Sequence, residues 1–146
     1  MVGALIVAMA LAVKLGSFIA NTSTGNQQIT GVGFQPKVVL FWGNDRTGDG
    51  TEADANFHFG VGISSTERRS FGVESQDAVA TSAVGNGRNN ARCIRILNAA
   101  GTLAAQADFV SVDSDSFTIN WTTAGAVGRT VHYLALGGDD LTNAAL

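Results

Sequence analysis

Ser116-Phe117-Thr118-Ile119-Asn120-Trp121-Thr122 alternates polar and apolar side chains without a break. Successive side chains of a β-strand point to opposite faces. The alternation therefore places Phe117, Ile119 and Trp121 on a buried face and Ser116, Thr118 and Asn120 on a polar one. Outward from this stretch the same period recurs in both directions. Apolar residues at helical spacing are hard to sustain except in the N-terminal stretch and near Ala104. The chain reads as all-β. Strands are predicted over 14–20, 28–31, 37–42, 56–64, 68–74, 91–97, 102–112, 116–122 and 129–136. Between them lie turn-rich segments at 21–26, 44–50, 65–67, 85–90, 98–101, 113–115 and 124–128, which are rich in Gly, Asn, Asp, Ser or Thr.

Short connections join antiparallel neighbours, so the four strands from Arg92 onward predict a meander forming one sheet of an antiparallel β-sandwich, jelly-roll-like in type. The last strand is apolar on both faces from Tyr133 to Leu136, and Lys37-Val38-Val39-Leu40-Phe41-Trp42 has the same character. Two-sided apolar strands are central in a sheet or covered by a partner, which makes Leu134 and Leu136 interface candidates. Glycines in Phe59-Gly60-Val61-Gly62-Ile63 predict bulges or the close approach of another backbone.

The 146 residues fit one domain, assigned to 15–146, preceded by an apolar N-terminal arm at 1–14. The run Val2 to Val13 is too short to span a bilayer as a helix and has no positive segment before it, which argues against a membrane span and a secretory leader. It is expected to be buried against the body or a neighbouring subunit, with Leu5, Ile6, Val7, Leu11 and Val13 at that interface. A net charge of −3 with 14% charged residues gives no basic excess for phosphates, so nucleic acid is not an expected partner.

The residues offer little catalytic chemistry. Cys93 is the single cysteine, cannot bridge internally, and is expected as a buried strand residue. No Gly-x-Ser-x-Gly elbow, phosphate loop or dinucleotide fingerprint occurs, and His58 and His132 lie far apart in predicted strands. A glycosidase-type pair drawn from Glu74, Asp113 and Asp115 would form only if the fold joined them. The oxygen-rich loop Asn44 to Asp54 holds Asp45, Asp49, Glu52 and Asp54, which are weak calcium candidates because the spacing is not that of an EF-hand and Arg46 offsets the charge. Otherwise no metal or cofactor is expected, and the chain is read as a non-enzyme. Trp42, beside this loop, is a candidate for stacking on a sugar, although a core of this size ordinarily takes in both Trp42 and Trp121.

Several segments together resemble small β-rich structural proteins of tailed bacteriophages. They are Gly16-Ser17-Phe18, Thr30-Gly31-Val32-Gly33-Phe34-Gln35-Pro36-Lys37-Val38-Val39-Leu40-Phe41-Trp42, Arg68-Arg69, Asp115-Ser116-Phe117-Thr118 and Val131-His132-Tyr133-Leu134-Ala135-Leu136-Gly137-Gly138. The resemblance implies a virion component assembled in the host cytoplasm, decorating the head or belonging to the tail or a fibre. It supplies no catalytic residues. A capsid decoration or cement protein is the first expectation, working as a homo-oligomer, expected to be a trimer, on other virion proteins such as the major capsid protein. A tail or fibre module that recognises a host-surface glycan through Trp42 is the alternative.

Overall fold

The computed structural model describes residues 10–81, 83–98 and 101–146. Ten strands are present among them: β1 (Ala12–Ile19), β2 (Gly25–Thr30), β3 (Pro36–Gly43), β4 (Ala55–Gly62), β5 (Arg68–Gln76), β6 (Ala83–Asn89), β7 (Ile94–Asn98), β8 (Thr102–Asp113), β9 (Ser116–Thr123) and β10 (Thr130–Gly137). They form two sheets, six-stranded in the order β1-β10-β3-β4-β5-β6 and four-stranded in the order β2-β9-β8-β7, antiparallel throughout. The fold is an all-β sandwich. Pairing of β1 with β10 and of β2 with β9 brings the first and last strands together.

The alternation in β9 behaves as its period requires. Phe117, Ile119 and Trp121 are fully buried, and Phe117 is the hub of an aromatic cluster with Phe41, Phe109 and Tyr133 at ring separations of 5.7, 6.2 and 5.1 Å. Edge-to-face and offset geometries of this kind add to the burial energy of each ring. Trp121 also donates its indole N–H to Gln27 Oε1 at 2.7 Å, so its polar edge is satisfied inside the core. An ion cluster ties the sheets together at one side: Asp108 on β8 takes Arg92 at 2.6 Å and Arg68 at 3.6 Å, while Arg68 also donates to the Phe109 carbonyl at 3.1 Å.

Four sequence expectations need correction. The final meander contains only β7, β8 and β9, because β10 crosses to the larger sheet and inserts between β1 and β3. A strand apolar on both faces is best buried in the middle of a sheet, and β2 takes the position beside β9 instead. Residues 85–90, expected as a turn, belong largely to β6, whose glycines at 85 and 87 alternate with outward-facing Val84, Asn86 and Arg88. The strand β1 begins at Ala12, inside the segment assigned to the arm. Cys93 is buried as expected but lies one residue before β7, with its thiol donating to the Ala107 carbonyl at 3.4 Å.

Glycine decides how closely the sheets approach beside β7. Where β7 crosses them, the inward positions of β4, β5 and β6 carry Gly60, Gly62, Ser70, Gly72, Gly85 and Gly87, while the larger inward side chains, among them His58 and Glu74, lie to either side. The β7 segment lies directly on the glycines: a methyl group at Gly60 would collide with the Cys93 carbonyl, and one at Gly72 would lie 2.7 Å from the Arg95 carbonyl oxygen. These are the close backbone approaches that the glycine-rich strand predicted. Gly60→Ala is therefore expected to cost about 2–3 kcal/mol, since a backbone carbonyl cannot swing aside, whereas Gly48→Ala, with open space around it, stays within about 0.5 kcal/mol of the parent in urea denaturation.

Candidate functional site

With small residues at the inward positions of β4 to β6 beneath β7, the pleat sends the apolar side chains of those strands outward. Phe57, Phe59 and Val61 of β4, Phe71 and Val73 of β5 and Val84 of β6 all stand on the outer face of the larger sheet. Registration extends that face across β3, β10 and β1. One cross-strand row reads Leu15, Leu134, Leu40, Val61, Arg69, and the next reads Ser17, His132, Trp42, Phe59, Phe71, Arg88. Val13, Leu136 and Val38 form a third row above these, while Ile19, Phe57 and Val73 stand below. The ring pairs Phe57–Phe71 and Phe59–Phe71, at 6.2 and 5.9 Å, make the aromatic part continuous.

This face is exposed where it should be covered. Leu15 is 67% exposed, Val84 69%, Phe57 44% and Phe71 43%. Six strands at ordinary spacing and four rows of side chains give a footprint of roughly 500 Å², at the upper end of what monomers leave uncovered. Among the described residues at its outward strand positions there is no carboxylate, and the only basic groups are Arg69, Arg88 and His132. Such a surface can bind another apolar surface by excluding water.

Of the residues singled out as interface candidates, Val13, Leu134 and Leu136 come together on this face, and Leu11 is exposed just before β1. Leu5, Ile6 and Val7 lie outside the described residues. The contributors missed from sequence are Phe57, Phe59, Phe71, Val73 and Val84. Their signal was present as glycine at alternate positions in β4 and β6, with Gly72 between Ser70 and Glu74 in β5, which reverses the usual assignment of the aromatic parity to the core.

A second, polar feature borders the face. Trp42 is half-buried on the outer surface, unlike Trp121, and stacks on exposed His132 with ring centroids 6.0 Å apart and an interplanar angle of 25°. Beside them a cavity of about 210 Å³ is lined by Asn44, Arg46, Gly48, Asp49, Gly50, Thr130 and His132. The calcium candidates do not converge there: Glu52 pairs with Arg46 at 3.0 Å, Asp54 accepts the Asp77 N–H at 2.8 Å, Asp49 lines the cavity, and Asp45 is partly buried. Among the described residues no three His, Cys, Asp or Glu side chains form a metal-holding group.

The remaining titratable groups serve the fold. Glu74 is buried and accepts the Gly101 N–H at 2.6 Å at the β7–β8 turn. At the opposite end of β8, Asp115 accepts the Gly31 and Gly33 N–H groups at 3.3 and 2.5 Å, and Asp113 takes the Ser116 hydroxyl at 3.5 Å. A strand of that length spans on the order of 35 Å, so Glu74 does not meet the two aspartates. Burial raises the Cys93 thiol pKa far above its ordinary range, which keeps it neutral.

His58 faces inward from β4, fully buried beneath Gly43, and neither ring nitrogen has a protein hydrogen-bond partner. Burial first, then the positive charge of Arg129 and the neighbouring His132, hold its pKa at about 4 against an ordinary 6.5. The folded protein thus keeps this ring neutral where the unfolded chain would protonate it. Its contribution is complete above pH 6.5 and is lost as pH falls towards 4, by about 3 kcal/mol in all. Urea denaturation at stepped pH should show this decline, and His58→Leu should flatten it across that window.

Comparison with protein-family models, with curated proteins and with solved structures yields no match, so the assignment of function rests on the two surfaces just described.

Proposed function

We propose that the chain is an assembly subunit of a tailed-bacteriophage particle, a capsid decoration or cement protein acting as a homo-oligomer on the major capsid protein. The observation that carries the assembly reading is the continuous apolar outer face of the six-stranded sheet, which has no covering layer among the described residues. Support for the virion reading comes from the residues of the phage resemblance. Its two longest segments, Thr30 to Trp42 and Val131 to Gly138, cover all but one residue of each of the neighbouring strands β3 and β10. Together these supply Val38, Leu40, Trp42, Leu134 and Leu136 to that face. A subunit of this kind needs surface complementarity and no reactive group, in keeping with the structural tasks found for Glu74, Asp113, Asp115 and Cys93.

The experiment adds purified full-length protein to isolated heads of tailed phages stripped of their decoration. Saturable co-sedimentation and heads that resist heating at least 5–10 °C further are the expected outcome. Failure to associate with heads of any phage, alongside binding to tails or fibres, would sink the decoration reading.

The stacked Trp42–His132 pair and the polar cavity beside it favour one second reading, a tail or fibre module that holds a host-surface glycan. A sugar face packs on an aromatic ring while Asn44, Arg46 and Asp49 present hydrogen-bonding groups to its hydroxyls. Glycan arrays with and without calcium test it. Trp42→Ala should weaken any genuine binding at least ten-fold without loss of strand content by circular dichroism, and silence across both arrays removes this reading.

A further inference from the structure

We propose that the apolar outer face is covered by a second copy of this chain, the two six-stranded sheets packing face to face about a two-fold axis parallel to their strands. The inference deepens the assembly reading and rests on it. It identifies the occupant from the area, chemistry and relief of the face.

Area comes first. Two footprints of roughly 500 Å² together bury on the order of 1,000 Å², which reaches the minimum for a biological interface and lies at the small, reversible end of the range. The chain's own apolar residues 1–9, laid extended over the sheet, would cover a band only one or two strand spacings wide, roughly 5–10 Å of a face six strands across. A matching sheet covers all of it, and stacked sheets at about 10 Å separation are an established packing mode.

Chemistry agrees. The face carries no carboxylate at its outward strand positions and holds its two arginines at one margin, so an identical face meets it without opposing like charges at the centre. Arg69 and Arg88 flank Phe71, and the partner's aliphatic side chains would cover their stems while the guanidinium groups reach solvent at the rim.

Relief then selects the arrangement. Protruding side chains stand at the β1 margin, where Val13 and Ile19 are each 55% exposed and Leu15 more so. Hollows lie at the other margin. One of about 300 Å³ is lined by Phe59, Val61, Arg69, Phe71 and Arg88 among others, and one of about 230 Å³ includes Phe57, Val73 and Val84. A rotation axis parallel to the strands and midway across the sheet carries the β1 margin of one copy over the β4–β6 margin of the other without changing a residue's height along the strands. Leu15 shares its row with Val61 and Arg69, so it comes down at the first hollow. Ile19 lies four residues further on, at the height of Phe57 and Val73, and meets the second. The contact is isologous and closes on itself, giving a dimer in place of the trimer expected from the sequence.

Analytical ultracentrifugation of the full chain should give twice 15.0 kDa, and Leu15→Glu and Phe71→Glu should each halve the apparent mass. Circular dichroism and thermal melting report whether these variants remain folded. A readout independent of destabilising substitutions uses Ser17→Cys and Arg88→Cys, which share one row at opposite margins. Treating an equimolar mixture with a bismaleimide of about 10 Å reach, which matches the separation of facing sheets, should yield the mixed cross-linked dimer, while either variant alone should not cross-link through the introduced thiol. A monomer at 100 µM, a three-fold mass, or efficient cross-linking of Ser17→Cys with itself would overturn the arrangement. So would a monomer that becomes dimeric only when residues 1–9 are deleted, or one that binds phosphatidylcholine vesicles through this face. A monomer that still coats phage heads would defeat the dimer alone and leave the assembly reading standing.

Discussion

The close approach of β7 to the inner side of β4, β5 and β6 is the constraint from which the rest of this structure follows. Backbone carbonyls at Cys93 and Arg95 occupy space where side chains would otherwise lie, so Gly60 and Gly72 are required beneath them. A strand whose inward positions are glycine has only its other parity for large residues. Phe57, Phe59, Val61, Phe71 and Val73 are therefore displaced to the outside by the same pleat that brings the two sheets together. Half of the sandwich is held by side-chain interdigitation around Phe117. In the other half, β7 contributes Ile94, Ile96 and Leu97 to the interior while its backbone lies against glycines of β4 and β5, whose apolar side chains face a surface that the domain itself leaves open.

Sequence period was a sound guide to strands and a poor guide to which side of a strand is inside. In β9 the two questions have one answer, because the apolar parity opposes a polar parity. In β4 the alternation is aromatic against glycine, and hydrophobicity alone assigns the aromatics to the core. Only the neighbouring backbone reverses that choice, and it arrives from a segment some thirty residues later in the chain. The strand β6 was missed for the same reason, since Gly85-Asn86-Gly87 carries turn chemistry when read locally and becomes a strand through pairing with β5. The position of β10 was half legible: its two apolar faces called for a central place, but a short connection pointed to the wrong sheet.

The candidate surfaces divide along similar lines. Leu134, Leu136 and Val13 were legible because they are apolar where a core was already supplied by Val131, Tyr133 and Ala135. Trp42 was ambiguous by nature, being large enough for the core and adjacent to a polar loop, and the structure puts it at the border between the apolar face and the polar cavity. The four carboxylates near it read as a possible cation loop, yet Glu52 pairs with an arginine and Asp54 with a backbone amide. His58 could not be recognised as buried at all, because its depth depends on Gly43 in one neighbouring strand and Gly72 in the other.

The place of β10 between β1 and β3 also sets the order in which this protein can be built. Until Thr130 to Gly137 has left the ribosome, the larger sheet lacks a strand in its interior, and β1 has nothing to pair with across the gap. Nearly the whole chain separates Ala12 from its partner Gly137, so this closure is a late, long-range event that carries a large loop entropy. The nascent chain keeps an incomplete sheet during synthesis, and the rows that run from Leu15 through Leu134 to Leu40 do not yet exist as a surface. Whatever this face engages is thereby denied to the chain until β10 has emerged, so synthesis of that strand acts as a timer for recruitment.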